Sequence, residues 1–495
     1  MSSAPTVSLP AFSELRRVHI IGVCGTLMGA FAAFLKRRGI EVTGSDQNVY
    51  PPMSDVLRNA GVTLFSGYQA SNLTGLPARP DLVVIGNVIS RTNAEAQAAL
   101  EGGYAYTSLP EAMEKLMLVQ TRNLVVAGTH GKTTTSSLLA FTLAHAGRDP
   151  SYFIGGVSHN LPNSFQVSSI EKGRLFVLEG DEYDTAFWDK VPKFNHYLPD
   201  DAILTSVEFD HADIYADFSA VKRAFSGLIT RIRPGGRLIA CVDYDSVREL
   251  ARDAESRKIA VLTYGSAGTP GARFTPKDVR VDADGWTHFT ILDDGKPMGS
   301  LRLAIPGNHN VLNALATWIE ARELGLTHAE VEAGLAAFKG VKRRQEERGE
   351  VGGVLVIDDF AHHPTAVRET LRALRSKYPG RRLVSVFEPR SATSRRKVFQ
   401  KEYGQAFGEA DACFIAAPYD QSKINPEDQF SSEQLVDDLK RDGHAAEWFR
   451  EVDEGVKHVT AAARSGDLVA VLSNGGFGGF IPKLLESLKL RAPAK

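Results

Sequence analysis

A glycine- and threonine-rich loop between an apolar run and a helical pattern is the segment best equipped for chemistry. The apolar run predicts a buried strand, and the pattern SSLLAFTLAHAG predicts a helix. Glycine lets backbone N–H groups turn toward an anion at a helix N-terminus, Lys132 can neutralise outer phosphates, and the Thr133 hydroxyl can bind Mg²⁺. The loop consists of Gly128, Thr129, His130, Gly131, Lys132, Thr133 and Thr134.

This loop departs from the general phosphate-loop motif at one position. The motif GxxxxGK[ST] begins with a glycine where this chain has Val126. A glycine-containing turn with a surface lysine is therefore the simpler alternative. The strand before the loop, the helix after it and the additional threonines favour nucleotide phosphate binding.

Carboxylates follow the next predicted strand, at RLFVLEGDEYD. Four carboxylates within six residues repel one another unless solvent or a cation relieves them, so we predict Mg²⁺ there over a solvated acidic turn. They are Glu179, Asp181, Glu182 and Asp184.

The strand AILTSV also ends in a polar segment, EFDHAD, which contains His211. The sequence leaves open whether His211 is structural or binds a metal or phosphate.

The chain opens with a strand, a glycine-containing turn at Gly22 and Gly25, a helix and a second strand that ends at Asp46. A carboxylate about twenty residues after such glycines is the place where a dinucleotide fold contacts a ribose hydroxyl. The fingerprint GxGxxG requires a second glycine where Cys24 stands. An NAD-dependent dehydrogenase is therefore a weak alternative, and another diphosphate ligand remains open.

Polar and basic residues also cluster in the second half of the chain. His309, Asn310 and Asn313 share the first turn of a predicted helix. Capping needs only one of these polar side chains, so the group suggests recognition of a base or phosphate.

Basic clusters occur at residues 342–348 and 390–397. Such clusters are usually solvated faces. We expect no partner for the charge at 342–344 within its own domain, so ATP phosphates become its natural counterions when domains close.

Composition excludes several function classes. The 495 residues correspond to about three domains, and a net charge of −2 argues against a nucleic-acid-binding surface. Cys24, Cys241 and Cys413 have neither disulfide-framework nor zinc spacing. No apolar run approaches the roughly 20 residues that span a bilayer, and the N-terminal segment lacks the apolar core of a signal peptide. We expect a cytoplasmic protein that binds neither nucleic acid nor membrane, with a monomer favoured.

Strands alternate with helices along most of the chain, which predicts an α/β fold of three α/β domains in series. The first domain, residues 1–120, and the last, residues 339–495, are predicted to be Rossmann-like. The central domain, residues 121–338, carries the phosphate loop and a β-rich part.

Six motifs in one order carry a specific resemblance: GTHGKTTT, EGDEYD, EFDHAD, PGNHNVLNALA, FKGVKRRQE and DDFAHHP. Together they closely resemble the Mur ligase family of ATP-dependent amide-bond ligases. The resemblance extends from Val18 to Phe480. The EFDHAD and DDFAHHP motifs are similar to the branch that acts on UDP-N-acetylmuramate. Within that branch, GSDQNVYPPMS, GNVISRTN and FEPRS resemble the member that recycles the cell-wall (murein) tripeptide.

The resemblance implies ATP and Mg²⁺ as cofactors and a role for each candidate residue. Lys132 contacts ATP phosphates, and Thr133, Glu179 and His211 serve the metal ions. Asn310 and Asn313 face the adenine side, while Arg344 and Asp358 reach the nucleotide from the last domain. Gly22, Gly25, Ser45 and Asp46 hold the UDP group. Other branches carry a carbamylated lysine; Lys222 lies in that region, and the resemblance does not assign it.

The implied reaction joins the lactyl carboxylate of UDP-N-acetylmuramate to the amine of L-alanyl-γ-D-glutamyl-meso-diaminopimelate through an acyl phosphate. The alternative amine is L-alanine, as in the relative that adds it during peptidoglycan synthesis. That relative has a histidine–arginine pair after the proline, whereas here Arg390 follows Pro389 directly and two small residues come next. Arg390 and Arg395 are positively charged and can bind the carboxylates of a tripeptide, and Glu388 is negatively charged and can bind its ammonium group. A binding protein without turnover is a further alternative, although it would be expected to have lost Lys132, Glu179 or His211.

Overall fold

The computed structural model describes residues 9–50, 53–168 and 172–491, without the side chain of Thr26. Pro51 and Pro52 of the GSDQNVYPPMS segment, and the outermost residues of the first and last predicted domains, lie outside the described part. The described residues form two compact units. The first contains residues from Met1–Val207, Lys222–Thr263 and Ile319–Leu326, and the second residues from Glu208–Val221, Tyr264–Trp318 and Thr327–Lys495.

The first unit contains a parallel five-stranded sheet in the order β3-β2-β1-β4-β5. β1 is the central strand and β4 is its neighbour, and the apolar residues of both are buried on both faces, as parallel sheets require. The strands are β1 (Arg17–Ile21), β2 (Glu41–Asp46), β3 (Thr63–Ser66), β4 (Leu82–Ile85) and β5 (Tyr106–Ser108). The helices are α1 (Thr26–Arg37), α2 (Met53–Asn59), α3 (Ser71–Thr74), α4 (Ala94–Glu101) and α5 (Leu109–Met113).

A second sheet of this unit positions the phosphate loop. Within this unit its strand order is β12-β11-β10-β6-β9-β7-β8. The strands from β11 to β7 pair in parallel, and β8 runs antiparallel to β7. The carboxyl ends of β10, β6 and β9 therefore meet at one edge. The strands are β6 (Arg122–Ala127), β7 (Ser151–Phe153), β8 (Phe165–Gln166), β9 (Leu175–Gly180), β10 (Asp201–Leu204), β11 (Arg237–Cys241) and β12 (Ala260–Tyr264). The helices are α6 (Lys132–His145), α7 (Phe218–Ile229) and α8 (Asp245–Ser256).

The second unit contains an antiparallel meander and two helices. Tight turns at Asp284-Gly285 and Asp294-Gly295 connect its strands, with positive φ at both glycines. The strands are β13 (Phe274–Val281), β14 (Thr287–Asp293) and β15 (Lys296–Leu303). They are followed by α9 (Asn308–Glu323), whose last residues belong to the first unit, and α10 (His328–Ala337), which begins with a capping box of Thr327 and Glu330.

The last sheet has six strands in the order β16-β17-β21-β18-β19-β20, and only β16 is antiparallel to its neighbour. Apolar clusters cover both of its faces. The strands are β16 (Glu346–Val351), β17 (Val354–Asp359), β18 (Leu383–Phe387), β19 (Ala412–Ala416), β20 (Ala445–Phe449) and β21 (Leu468–Leu472). The helices are α11 (Pro364–Lys377), α12 (Gln400–Ala406), α13 (Ser432–Arg441), α14 (Val452–Ala462) and α15 (Phe480–Arg491).

Three sheet-containing regions follow one another along the chain, so the predicted fold class is confirmed. The boundaries at residues 120 and 338 stay predictions. The strands β3, β7 and β20 are only four, three and five residues long, so each is too short for its apolar pattern to indicate a strand. Within the described ranges, no helix combines the length and apolarity needed to cross a lipid bilayer.

Candidate functional site

The backbone of the phosphate loop is held open by two glycines and by the end of β10. Gly128 and Gly131 have φ of 139° and 82°, which only glycine adopts without strain. A Cβ on Gly128 would lie 2.2 Å from the Thr205 hydroxyl, so no side chain fits there. The N–H of Thr129 donates to the Ser206 carbonyl at 2.9 Å, and the N–H of His130 donates to the Ser206 hydroxyl at 2.8 Å. The loop geometry is therefore fixed by a neighbouring strand as well as by its own residues.

Lys132, the first residue of α6, folds its ammonium back over the loop. Nζ donates to the carbonyls of Gly128 and Thr129 at 2.6 and 3.2 Å and to the Glu182 carboxylate at 2.9 Å. Burial alone would lower the pKa of Lys132, but attraction to Glu182 raises it above its ordinary value. The side chain thus presents a permanent positive charge inside the loop.

Thr133 and Glu179 bring two oxygen ligands together beside that charge. The Thr133 hydroxyl donates to Glu179 Oε1 at 2.8 Å, and the Gly155 N–H donates to Oε2 at 2.7 Å. Hydroxyl and carboxylate oxygens are the donors that Mg²⁺ prefers, so this pair fits the predicted metal role. Thr134, the next residue, is buried in the first turn of α6.

The acidic segment after β9 divides its carboxylates among separate partners. Asp181 pairs with Lys193 at 2.6 Å, and Asp184 with Lys190 at 2.8 Å. Burial alone would raise the pKa of Asp181, but the charge of Lys193 keeps it below its ordinary value. Lysines relieve much of the crowding that the sequence suggested a cation would relieve. Of the four carboxylates, Glu179 is the one beside Thr133.

At the carboxyl edge of the first sheet, the end of β2 is bonded to the glycine turn after β1. Gly22 has a φ of 86° and donates its N–H to the Ser45 carbonyl at 2.8 Å. The Asp46 carboxylate accepts the N–H of Cys24 at 2.9 Å and that of Asn48 at 3.0 Å. Gly25 caps the start of α1. The Ser45 hydroxyl is buried and lacks a hydrogen-bond partner in the described part of the chain.

In the second unit, the segment around Asp210 and His211 contacts residues of the last sheet region. Asp210 Oδ1 accepts from the Thr393 hydroxyl at 2.6 Å, and Oδ2 lies 3.5 Å from His362 Nε2. Burial alone would raise the pKa of Asp210, but His362 and the neighbouring histidines keep it well below its ordinary value. His211 has a φ of 56°, in the left-handed region.

The two asparagines predicted for the adenine side contact each other. Asn313 Nδ2 donates to Asn310 Oδ1 at 3.2 Å, and Asn310 Nδ2 donates to the Pro306 carbonyl at 2.7 Å. Both side chains are buried at the start of α9. The pair is therefore held rigidly in the first turn of this helix.

The basic segment at 342–344 has partners in its own region, so the expectation of an unpaired cluster was wrong. Arg343 and Arg348 lie 3.4 and 2.8 Å from the Asp358 carboxylate. The guanidinium of Arg344 lies over the Phe360 ring, 4.6 Å from its centroid. β16 and β17 pair antiparallel and bring these side chains to Asp358, a contact that spacing in sequence does not reveal.

The adjacent Asp359 differs from Asp358 in its environment. Its carboxylate accepts the N–H groups of Gln345 and Ala361, both at 2.7 Å. Burial raises the pKa of Asp359, and the charge of Arg344 opposes that shift. Asp359 is thus a second acidic residue near Arg344 that the sequence analysis did not select.

Arg390 and Glu388 lie together at the carboxyl edge of the last sheet. Arg390 donates to Glu388 at 3.2 Å, and its guanidinium stacks 3.8 Å from the centroid of Tyr419. The Ser473 hydroxyl donates to the other oxygen of Glu388. Arg395 instead donates to the carbonyls of Ser391, Tyr419 and Asp420. Arg395 therefore supports the loop, whereas Arg390 and Glu388 form a charged pair beside an aromatic ring.

The predicted site residues thus fall into separate groups in the two units. The first unit brings the phosphate loop together with Glu179, and it places the residues predicted to hold UDP at the edge of the other sheet. The second unit contains the remaining predicted residues. Sequence reasoning missed Thr205, Ser206, Thr393 and Asp359; polar residues directly after an apolar strand were the available signal for Ser206. Lys222 pairs with Glu249 at 2.8 Å.

Comparison with known proteins agrees with this arrangement. Residues 17–121 match "Mur ligase family, catalytic domain", residues 126–321 "Mur ligase middle domain", and residues 343–475 "Mur ligase, glutamate ligase domain". The chain belongs to the Mur ligase family. Members are ATP-dependent amide-bond ligases that use Mg²⁺, which agrees with the phosphate loop and with the oxygen pair of Thr133 and Glu179.

Individual relatives cover nearly the whole chain. The UDP-N-acetylmuramate–L-alanyl-γ-D-glutamyl-meso-2,6-diaminoheptandioate ligase of Escherichia coli is 40% identical over 97% of this chain and 99% of its own. The UDP-N-acetylmuramate–L-alanine ligase of Kineococcus radiotolerans is 36% identical over 99% and 100%. A crystal structure of a murein peptide ligase from Psychrobacter arcticus has a TM-score of 0.67 and 33% identity, covering 96% of this chain and 99% of that one.

Proposed function

We propose that this Mur ligase joins UDP-N-acetylmuramate to the murein tripeptide L-alanyl-γ-D-glutamyl-meso-diaminopimelate in the cytoplasm, as part of peptidoglycan recycling. Two of the relatives similar to this chain carry that activity in their names, at 40% and 36% identity. The structural observation that carries the proposal is the charged pair of Arg390 and Glu388 beside Tyr419. Besides its reacting amine, a tripeptide brings several carboxylates and the diaminopimelate ammonium to such a pair, whereas free L-alanine brings one carboxylate.

The reaction has two steps. The lactyl carboxylate attacks the γ-phosphorus of ATP and ADP leaves, which forms an acyl phosphate. The free amine of the peptide then attacks the acyl carbon, phosphate leaves, and the amine nitrogen loses a proton as the amide forms. Charge on the transferred phosphoryl group requires fixed positive groups, and Lys132 is held in position by three hydrogen bonds before any substrate arrives.

The other candidate residues take positioning roles in this proposal. Thr133, Glu179 and His211 would hold Mg²⁺, which when bound neutralises phosphate charge. Gly128 through Thr134 bind the nucleotide with Asn310, Asn313, Arg344 and Asp358, and Gly22, Gly25, Ser45 and Asp46 bind the UDP group. Arg395 orders the loop that carries Arg390. The three domains divide near residues 120 and 338, and the chain acts as a monomer.

The amine substrate is tested by measuring ADP release with ATP, Mg²⁺ and UDP-N-acetylmuramate, adding either the tripeptide or L-alanine. We expect kcat/KM to favour the tripeptide by at least about 100-fold, a difference of about 2.7 kcal/mol in transition-state binding. Mass spectrometry of the product confirms that an amide has formed. A preference for L-alanine would replace the recycling function by the synthetic one and leave the ligase chemistry intact.

Arg390→Lys provides a matched test of the same proposal. Lysine retains the charge but loses the planar group that stacks on Tyr419 and pairs with Glu388. We expect KM for the tripeptide to rise about tenfold, with KM for ATP unchanged. Arg441→Lys, an exposed arginine at the end of α13, is the control and should change neither constant.

A further inference from the structure

The Thr393 hydroxyl occupies an unusual place, because it contacts the residues on both sides of His211. It donates to Asp210 Oδ1 at 2.6 Å and accepts the N–H of Ala212 at 3.2 Å. Thr393 and Asp210 are 183 residues apart in sequence, and both side chains are buried. The Thr393 hydroxyl therefore contacts both chain neighbours of His211, Asp210 and Ala212.

Further contacts fix the backbone of His211 itself. Its N–H donates to Asp210 Oδ1 at 2.8 Å, and its carbonyl accepts the N–H groups of Ile214 and Tyr215 at 2.9 and 3.0 Å. With φ at 56°, His211 has a conformation that a residue with a Cβ avoids unless its surroundings impose it. The direction in which its side chain leaves the backbone depends on this network.

Thr393 is itself held in a rigid turn. The N–H of Arg396 donates to the Thr393 carbonyl at 3.0 Å, and the N–H of Ser394 donates to the Ser391 hydroxyl at 3.0 Å. This turn follows Arg390 by three residues, so one loop carries both the proposed peptide-binding arginine and the hydroxyl that brackets His211. A rigid support is what a positioning residue requires.

We propose that Thr393 is a positioning residue that sets the orientation of His211 for Mg²⁺. This inference rests on the metal role of His211 in the proposed function. Groups that orient a metal ligand without touching the metal commonly change metal affinity by about 10- to 100-fold when removed. The hydroxyl is the relevant group, because its oxygen makes both contacts.

Thr393→Val tests the proposal, since valine has nearly the same shape and lacks the hydroxyl. We expect the Mg²⁺ concentration for half-maximal ADP release to rise about tenfold or more, with KM for UDP-N-acetylmuramate little changed. Thr393→Ser retains the hydroxyl and should restore most of the Mg²⁺ affinity. Mn²⁺ binding, followed by electron paramagnetic resonance with a non-hydrolysable ATP analogue and UDP-N-acetylmuramate, should weaken by a similar factor in Thr393→Val and recover in Thr393→Ser.

Thr460→Val is the control for a general loss of stability. Thr460 is a buried threonine of the same unit whose hydroxyl donates to Ser487 at 3.0 Å, and it lies on α14. Thr460→Val should lower the melting temperature and leave the Mg²⁺ and Mn²⁺ titrations unchanged. Equal metal titrations in Thr393→Val and wild type would overturn the proposal, as would a shift that Thr393→Ser fails to reverse.

The wild-type enzyme and His211→Ala separate this inference from the proposed function. If wild type releases ADP with the tripeptide and His211→Ala weakens Mn²⁺ binding, an unchanged Thr393→Val refutes the role of Thr393 alone. If His211→Ala leaves Mn²⁺ binding unchanged, both the metal role of His211 and the inference are wrong. A wild-type enzyme inactive with the tripeptide but active with L-alanine refutes the substrate only, and the Thr393 test is then run with L-alanine.

Discussion

Two loops of the first unit follow the same strand–loop–helix plan, but different kinds of group accept the hydrogen bonds from their backbone N–H groups. The loop after β1 donates the Cys24 N–H to the Asp46 carboxylate at the end of the adjacent strand β2. The loop after β6 donates two N–H groups to Ser206, just beyond the end of the adjacent strand β10. In each case a neighbouring parallel strand supplies the partner, but one partner is an anion and the other is neutral.

The two loops also differ in charge. The first loop contains no cation, whereas the second is followed by Lys132, which Glu179 attracts, and the Thr133 hydroxyl donates to that same Glu179. A carboxylate accepts hydrogen bonds from hydroxyl and amide groups, while an ammonium with oxygen ligands suits a metal-bound triphosphate. The same strand–loop–helix plan thus carries different charges in the two loops, which agrees with the different ligands predicted for them.

The largest expected effect comes from removing the cation of the second loop. Lys132→Ala would remove the ammonium that pairs with the Glu182 carboxylate, which is 3% exposed, so it would also destabilise the fold. We therefore choose Lys132→Met combined with Glu182→Gln, which removes both charges. The rate of ADP release should fall by about 10²- to 10³-fold, because one fixed charge on the transferred phosphate is lost.

Glu182→Gln alone is the control for this double variant. It keeps the ammonium and should retain much more activity than the double variant. Circular dichroism should show the same helix content in both. A double variant within a few-fold of wild type would contradict the phosphate-loop assignment.

The next effect concerns the stability of the unit that contains both loops. Protonated His196 donates hydrogen bonds to the carboxylates of Glu114 at 2.6 Å and Asp189 at 2.8 Å. Burial alone would lower the pKa of His196, but these carboxylates raise it to about 9. A raised pKa in the folded state gives stability that is complete below the unfolded value of about 6.5 and is lost as pH rises through about 9.

We expect the free energy of unfolding to fall by up to about 3 kcal/mol between pH 6.5 and pH 10 on account of this group. His196→Gln should flatten that part of the curve. Urea unfolding at several pH values measures the difference between the two proteins. Parallel curves for wild type and His196→Gln would show that the ion pairs of His196 contribute nothing to the pH dependence.

A smaller effect is expected at the oxygen pair of the second loop. Glu179→Gln keeps the size of the side chain but removes the charge that Mg²⁺ prefers. The Mg²⁺ concentration for half-maximal activity should rise about tenfold. Asp184→Asn, in the same segment but paired with the exposed Lys190, is the matched control and should leave the titration unchanged.

The smallest effect belongs to the first loop. Asp46→Asn keeps an oxygen for the Cys24 N–H but replaces a charge-assisted bond with a neutral one. KM for UDP-N-acetylmuramate should rise about threefold, and KM for ATP should not change. An equal rise in both constants would mean that Asp46 supports the whole unit, and the contrast between the loops would then lose its functional meaning.

The sequence was most informative where ligand chemistry and local geometry coincide. Gly128 through Thr134 are consecutive, and their position between a buried strand and a helix predicts where the loop lies. The same reasoning placed the group of four carboxylates after β9 at the ligand-binding edge, because parallel strands carry ligand-binding residues at their carboxyl ends. The family resemblance, rather than the spacing, singled out Glu179 among them. The partners of Lys132, Asp46 and Asp210 did not follow, since they depend on which strand ends or loops become neighbours.

By itself, the sequence determined the fold class, the phosphate loop and the family, because each rests on residue types at short spacing or on ordered motifs. Only the tertiary structure decided which charges meet. It paired Arg343 and Arg348 with Asp358, divided the acidic segment among separate lysines, and brought Thr393 to Asp210. The physical reason is that strand order and register set distances between residues far apart in sequence, whereas local propensity and periodicity carry information about neighbours alone.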